Sequence, residues 1–316
     1  MSLLRVSAPP HIHTPNDTSA IMADVIIAIM PAVIAGAYYF GYRAVMVVVA
    51  CVLTSVLFEY LWTKIMKQAP TIGDLSAVVS GLLLGLNLPP SAPFWMCAAG
   101  SFFMMIIVKA FFGGLGQNFL NPALAARAFL MASWPTYMTR FTAPFTKLAP
   151  FGNADAVTSP TVLTIMKNGL PNELPSKLSM FLGNMGGCIG ETSALAILIG
   201  FAYLLVRGVI SWRIPVTYTA VLGLLTLISG GDPILAILSG GLLLGAVFMA
   251  TDYTTSPVTH TGQFIYAAGC GFIAFVIRKW GGYPEGVSYS ILLMNIVTPL
   301  IDKATPPRVF GRRAVK

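Results

Sequence analysis

Charge is so scarce in this chain that its apolar runs decide the fold class. Of its 316 residues only 9% are Asp, Glu, Lys or Arg, while 56% are hydrophobic; a soluble domain carries about 25% charged residues. Ten apolar runs follow one another, at 20–40, 44–62, 75–88, 94–112, 119–134, 192–206, 214–228, 234–249, 264–277 and 287–301. A helix needs about 20 apolar residues to cross the hydrocarbon core, and an open sheet leaves its backbone edges unsatisfied there. The expected fold class is all-α integral membrane, with about ten transmembrane helices.

The runs fall into two copies of one unit. Ile72-Gly73-Asp74 followed by Gly81-Leu82-Leu83-Leu84-Gly85 recurs as Gly230-Gly231-Asp232 followed by Gly241-Leu242-Leu243-Leu244-Gly245. Ala98-Ala99-Gly100 with Lys109 and Gly113-Gly114 recurs as Ala267-Ala268-Gly269 with Arg278 and Gly281-Gly282, and Arg43 has a counterpart in Arg213. Five spans per copy is an odd number, so the two copies lie in opposite orientations, as in transporters whose inverted repeats enclose a site at the midplane. The expected division is a cytoplasmic N-terminal segment (1–19), a first five-helix repeat (20–134), an extracytoplasmic loop (135–191), a second five-helix repeat (192–301) and a basic cytoplasmic tail (302–316). Most Lys and Arg in short loops then fall inside, as the positive-inside rule requires.

Composition excludes several function classes. The net charge of +8 sits at helix ends and in the tail, which fits an orientation signal and no nucleic-acid partner. The four cysteines, Cys51, Cys97, Cys188 and Cys270, form no CxxC or CxxxC pair, so this chain alone builds no iron-sulfur or metal centre. The polar, Pro-rich start has no cleavable-signal pattern, and the first span is expected to serve as its own insertion signal.

Two breaks at matched places point to a central site. The third and eighth runs are short and end at Asn87-Leu88-Pro89-Pro90 and Ala250-Thr251-Asp252-Tyr253; interrupted spans in corresponding positions free backbone to face a ligand. Arg127, inside the fifth run, is costly in lipid and therefore a functional candidate, with snorkelling to an interface as the alternative. Asp24 reads as a first-turn residue favoured by the helix dipole, and Glu59 as an interfacial partner of Lys64 and Lys67. His11, His13 and His260 lie in terminal or loop sequence.

The long loop carries Asp155-Ala156-Val157-Thr158-Ser159-Pro160-Thr161-Val162-Leu163, on composition alone a turn rich in hydroxyls. This stretch resembles the Asp-x-x-(Ser/Thr)-x-x-Thr flavinylation motif of the NqrB/RnfD family. Three further stretches resemble the same family in order: Pro10-His11-Ile12-His13 with Ile21-Met22-Ala23-Asp24-Val25, Gly113 to Ala123 with Asn121-Pro122-Ala123, and Met249-Ala250-Thr251-Asp252 with Ser256-Pro257-Val258-Thr259. The short N-terminal region favours the RnfD branch over NqrB.

The resemblance implies a urea-transporter-like fold in a bacterial cytoplasmic (inner) membrane. It implies FMN joined through a phosphoester to Thr161, with Asp155, Thr158 and Ser159 at accompanying positions. Thr255 and Thr259 repeat the motif but fall on the cytoplasmic side, so Thr161 is the expected acceptor. Arg127 is expected to neutralise flavin charge, Asn121 to take part in cofactor binding, and Thr251 and Asp252 to line a second, non-covalent flavin such as riboflavin. The implied function is the membrane subunit of an ion-translocating ferredoxin:NAD⁺ oxidoreductase, not catalytic alone, relaying electrons while Na⁺ or H⁺ moves. Its implied partners are a second covalent-FMN subunit, iron-sulfur subunits and a flavin transferase for maturation. Two alternatives stand beside it: an NqrB-type subunit of a Na⁺-pumping NADH:quinone oxidoreductase, and a stand-alone channel or transporter for a small polar solute.

Overall fold

The computed structural model describes residues 17–67, 71–146, 159–168, 174–282 and 285–306. Among them the chain is all helical, with no β-strand. The first half comprises α1 (Thr18–Phe40), α2 (Tyr42–Ile65), α3 (Ser76–Leu86), α4 (Phe94–Phe102) with a π-helical continuation (Phe103–Ala110), and α5 (Pro122–Ser133). Short helices α6 (Pro135–Met138), α7 (Val162–Lys167) and α8 (Lys177–Leu182) follow. The second half comprises α9 (Ala194–Val206), α10 (Arg213–Ile228), α11 (Pro233–Leu238), α12 (Leu242–Leu244) with a π-helical continuation (Gly245–Met249), α13 (His260–Trp280) and α14 (Val287–Ala304).

Three of these helices, α1, α2 and α13, are long and apolar enough to cross a bilayer, and only 28 to 33% of their most apolar windows is buried. Their remaining faces carry Ile34, Leu53, Leu57 and Phe272 outward, the pattern of helices solvated by lipid on one side. Several expected spans are shorter than their apolar runs. The 75–88 run is helical only over Ser76–Leu86, and the 119–134 run only from Pro122, where Asn121 caps α5 by accepting from the Ala123 and Leu124 amides.

The eighth run departs most from expectation. A single span at 234–249 was the expectation from its apolar content, but the helix stops at Leu238 and restarts at Leu242. Ser239 is extended, and Gly240 and Gly241 adopt φ of +66° and +65°, a conformation that disfavours side chains. Apolar periodicity cannot register such an interruption, because it continues on either side of the glycine pair.

One buried core runs through both halves. α2 packs on α3 and α4, α10 on α13, and α13 on α14, while α1 packs on α9 and α14 on α5 to join the halves. A Cβ added to Gly81 would lie 2.7 Å from the Val52 Cα, so glycine sets how closely α3 approaches α2.

Candidate functional site

Two cavities open at opposite ends of the helical body, and α5 runs between them. The first, about 480 Å³, is lined by Arg127 and Met131 of α5, Ser159, Thr161, Thr164 and Lys167 around α7, and Glu285, Ser288 and Tyr289 at the start of α14. The second, about 250 Å³, is lined by Asn118, Asn121, Thr251 and Asp252 together with Ser76 and Lys109. Arg127 and Asn121 are six residues apart on or next to one helix, which places them about 9 Å apart along its axis.

Thr161 is the N-cap of α7: its hydroxyl oxygen accepts from the Thr164 amide at 3.3 Å and lies 2.9 Å from the Thr164 hydroxyl. Ser159 is held beside it by its amide, which donates to the Phe141 carbonyl at 2.9 Å. Lys167, at the other end of α7, reaches across to the Gly281 and Gly282 carbonyls. Asp155 and Thr158 lie outside the described residues. Thr255 and Thr259 precede α13, whereas Thr161 faces the far end of that helix; its 21 residues span about 30 Å. Thr255 is buried with its hydroxyl on Asp252, and Thr259 caps α13 through the Gly262 amide.

Arg127 does not snorkel. It is 5% exposed, and its guanidinium donates to Asn87 Oδ1 at 2.6 Å, Cys188 Sγ at 3.6 Å and the Glu285 carboxylate, with Glu191 Oε2 at 3.8 Å. Asn87 in turn donates to Met249 Sδ at 3.7 Å, and Asn121 donates to the Met249 carbonyl at 3.3 Å. The two matched breaks therefore meet in the middle of the molecule, between the cavities. Cys188, Glu191 and Glu285 bring one sulfur and two carboxylate oxygens within 4.8 Å of one another. The guanidinium among them already supplies the positive charge, which disfavours a metal cation there.

Sequence reading missed Glu191 and Glu285, which line the wall next to Thr161. The signal was their rarity, since the chain has only eleven acidic residues and a carboxylate against an apolar core needs a partner. Two other acids have partners that spacing did not indicate. Asp24 lies beyond the first turn of α1, where the helix dipole has faded, and instead accepts from Arg207 in a bidentate pair at 3.0 to 3.1 Å and from the Tyr203 hydroxyl at 2.9 Å. Glu59 is 7% exposed and accepts from Lys109 Nζ at 2.7 Å, not from Lys64 or Lys67.

The chain as a whole is matched by known proteins. A model of the NQR2, RnfD, RnfE family aligns with residues 5–311. The chain belongs to that family. It is similar to the D subunit of the Na(+)-translocating ferredoxin:NAD(+) oxidoreductase complex of Acetobacterium woodii, at 52% identity over 99% of this chain and 97% of the relative. It is similar at 43% identity, over 99% of this chain and 97% of the relative, to the D subunit of the proton-translocating ferredoxin:NAD(+) oxidoreductase complex of Clostridium ljungdahlii. The D subunit of the ion-translocating oxidoreductase complex of Stutzerimonas stutzeri is 37% identical over 95% of this chain and 94% of its own length.

The first cavity is compatible in size and lining with the flavin mononucleotide that the resemblance implies. The volume of about 480 Å³ lies within the roughly 300–1,000 Å³ of pockets that hold cofactor-sized ligands. Tyr289 and Phe141 offer aromatic surface, Thr164 and Ser288 offer hydroxyl groups, and Lys167 and Arg127 offer positive charge.

Proposed function

We propose that this chain is the D subunit of a membrane ferredoxin:NAD⁺ oxidoreductase that moves Na⁺ or H⁺, and that it carries FMN covalently on Thr161. The observation that carries the reading is the placement of Thr161 in one cavity with Arg127, Lys167 and Tyr289. A pore-forming transporter has no need of such a loop, and Asn87, clamped between Arg127 and Met249, stands between the two cavities. The names of the relatives favour ferredoxin over quinone chemistry.

Thr161 Oγ1 is the attacking atom in loading. With FAD presented by a flavin transferase, the Oγ1–phosphorus bond would form as the diphosphate bridge breaks, AMP would leave with the bridging oxygen, and the hydroxyl proton would pass to water. The flavin, once bound, supplies the electron-carrying chemistry. Thr161 would tether its phosphate, Lys167 would offset phosphate charge, and Arg127, paired with Glu285 and close to Glu191, would line the same cavity.

A non-covalent flavin, with riboflavin the expected form, goes with the second cavity in this reading, and that cavity, at about 250 Å³, below the roughly 300–1,000 Å³ of such pockets, would have to widen to admit it. Asn118, Asn121, Thr251 and Asp252 supply donors and acceptors there, and no titratable phosphate partner is needed. The architecture that goes with this function is ten spans in two inverted five-helix repeats, urea-transporter-like, with cytoplasmic termini and an outward-facing loop at 135–191. Partners are a second covalent-FMN subunit and iron-sulfur subunits in a bacterial inner membrane.

The test is ultraviolet in-gel fluorescence with intact mass, on wild type and Thr161→Ala co-expressed with a flavin transferase. Covalent flavin that is lost in the variant supports the site. Fluorescence that survives moves it to Thr255 or Thr259 and inverts the topology.

A further inference from the structure

Around Arg127 the charges do not match one to one. A single guanidinium nitrogen, Nη2, faces two carboxylates, pairing with Glu285 and lying 3.8 Å from Glu191 Oε2. Glu191 is 6% exposed, and its Oε1 is satisfied by the Cys188 amide at 2.9 Å. Its Oε2 has no hydrogen-bond partner. That oxygen is aimed into the cluster by the break in the eighth run, because a Cβ on Gly241 would lie 2.6 Å from it. A buried carboxylate oxygen with no donor carries a high desolvation cost unless it is protonated or borrows one.

The other charged and titratable groups around the pair give Glu191 Oε2 no hydrogen bond, and Arg278 acts on the two carboxylates only through space. Arg278, from α13, spends its guanidinium on the Ala236, Ser239 and Gly240 carbonyls and on the backbone oxygen of Glu285, not on either carboxylate. Lys167, from α7, donates to Gly281 and Gly282. Cys188 donates its amide to Glu191 and receives an Arg127 N–H on sulfur. Tyr289, from α14, lines the cavity. A small void of about 10 Å³, close to the size of one water, lies between Thr161, Glu191, Gly240 and Glu285. The carboxyl pair therefore communicates with the atom that the preceding reading assigns to the flavin tether.

We propose that Glu191 and Glu285 share one exchangeable proton, taken up from the solvent side of the Thr161 cavity when electrons enter it and released when they leave. The inference rests on the flavin reading above and adds the residues that balance its charge. When electrons arrive from a reduced iron-sulfur or flavin partner, the cavity gains negative charge beside two carboxylates. One O–H bond then forms at the carboxyl pair as a hydronium ion gives up its proton, and Arg127 stays paired with the carboxylate that remains. Reoxidation reverses the step, so charge and protons balance over the cycle. Two carboxyl groups sharing a cation titrate as a pair rather than singly. Burial pushes the Glu285 carboxyl up and the charge of Glu191 acts in the same direction, while Arg127 and Arg278 oppose it.

The test is an equilibrium redox titration, from pH 5 to 9, of the full chain flavinylated by co-expressed transferase, after covalent flavin is verified by fluorescence and mass. In the wild type the midpoint potential falls with pH by one proton more per two electrons than in Glu285→Gln or Glu191→Gln. For a two-electron couple that extra proton is about 30 mV per pH unit. Both single variants lose it, because either substitution leaves one carboxylate for one guanidinium. Glu285→Asp retains it.

A wild-type slope equal to that of both variants across the range overturns the proposal. Should the variants fail to assemble, reduced-minus-oxidised infrared spectra of the wild type decide. A carboxyl C=O band that appears on reduction and shifts in D2O is expected, and its absence overturns the inference. A chain that carries no covalent flavin overturns the preceding reading, and this inference with it.

Discussion

The Gly-Leu-Leu-Leu-Gly stretch occurs twice, and its two copies are built differently. In the first copy it lies inside one continuous helix, α3, whose Gly81 lets the α2 backbone come close. In the second, the helix is interrupted just before Gly241, and the backbone opens toward Glu191 and Arg278. The acids at the head of each copy do the same work: Asp74 accepts from the Ser76 amide at 2.8 Å, and Asp232 accepts from the Ile234 amide at 2.9 Å. The cations that correspond in sequence do not. Lys109 pairs with one carboxylate, Glu59, and donates to Ser76 at 2.6 Å, which pins the start of α3. Among the described residues Arg278 pairs with no carboxylate and instead gathers the carbonyls released at the break. A compact ammonium suits a single acid, whereas a planar fork suits several oxygens at once. Duplication conserved the elements, and one interruption turned the second copy from a packing helix into the wall of a site.

The sharpest way to break this contrast is to remove the cation of the first copy. Lys109→Met leaves Glu59 buried beside Thr71 alone, and loss of one partner from a buried pair costs about 3–5 kcal/mol. Thermal unfolding in detergent reads this as a large drop in Tm, with Lys109→Met/Glu59→Gln recovering part of it. The corresponding change in the second copy is smaller. Arg278→Lys keeps the charge but cannot reach three carbonyls, and each one left buried and unpaired costs about 1–3 kcal/mol. A Tm loss with flavin loading retained is expected, because no carboxylate loses its partner.

The two glycines separate packing from site. Gly81→Ala forces α3 away from the Val52 backbone, an overpacking cost of about 1–3 kcal/mol, with the pH dependence of the flavin potential unchanged. Gly241→Ala, at φ +65° and against Glu191, is expected to alter that pH dependence. The smallest effect is at the head of the second copy. Lys177 donates to Asp232 and holds its carboxyl below the usual carboxylate range. The depressed value contributes stability that is present above the ordinary value of about 3.9 and lost as pH falls through the lower folded one. The pair is partly exposed, so Lys177→Met is expected to cost under about 1 kcal/mol near neutral pH, with the Tm difference from wild type shrinking as pH falls through the lowered Asp232 value.

The legible parts of this molecule were those written in local pattern. Apolar runs placed α1, α2 and α13 within a few residues, since burial against lipid needs only length and hydropathy. The hydroxyl-rich turn at Thr161 could be read because turn chemistry acts over three or four residues. The break at Ser239 to Gly241 was not legible, because a pair of glycines also fits a close helix contact. Nor were the partners of Arg127, Asp24 and Glu59, which come from segments 40 to 183 positions away.

By itself, then, the sequence determined a membrane-embedded helical chain, its duplicated motifs and the hydroxyl-rich loop, because hydropathy, repetition and turn chemistry are properties of neighbours. Only the tertiary structure decided that Thr161, Arg127, Glu191 and Glu285 share one wall, and that Asn121, Thr251 and Asp252 line another. Their positions depend on which helix ends pack together, and buried charges take whatever partner that packing supplies.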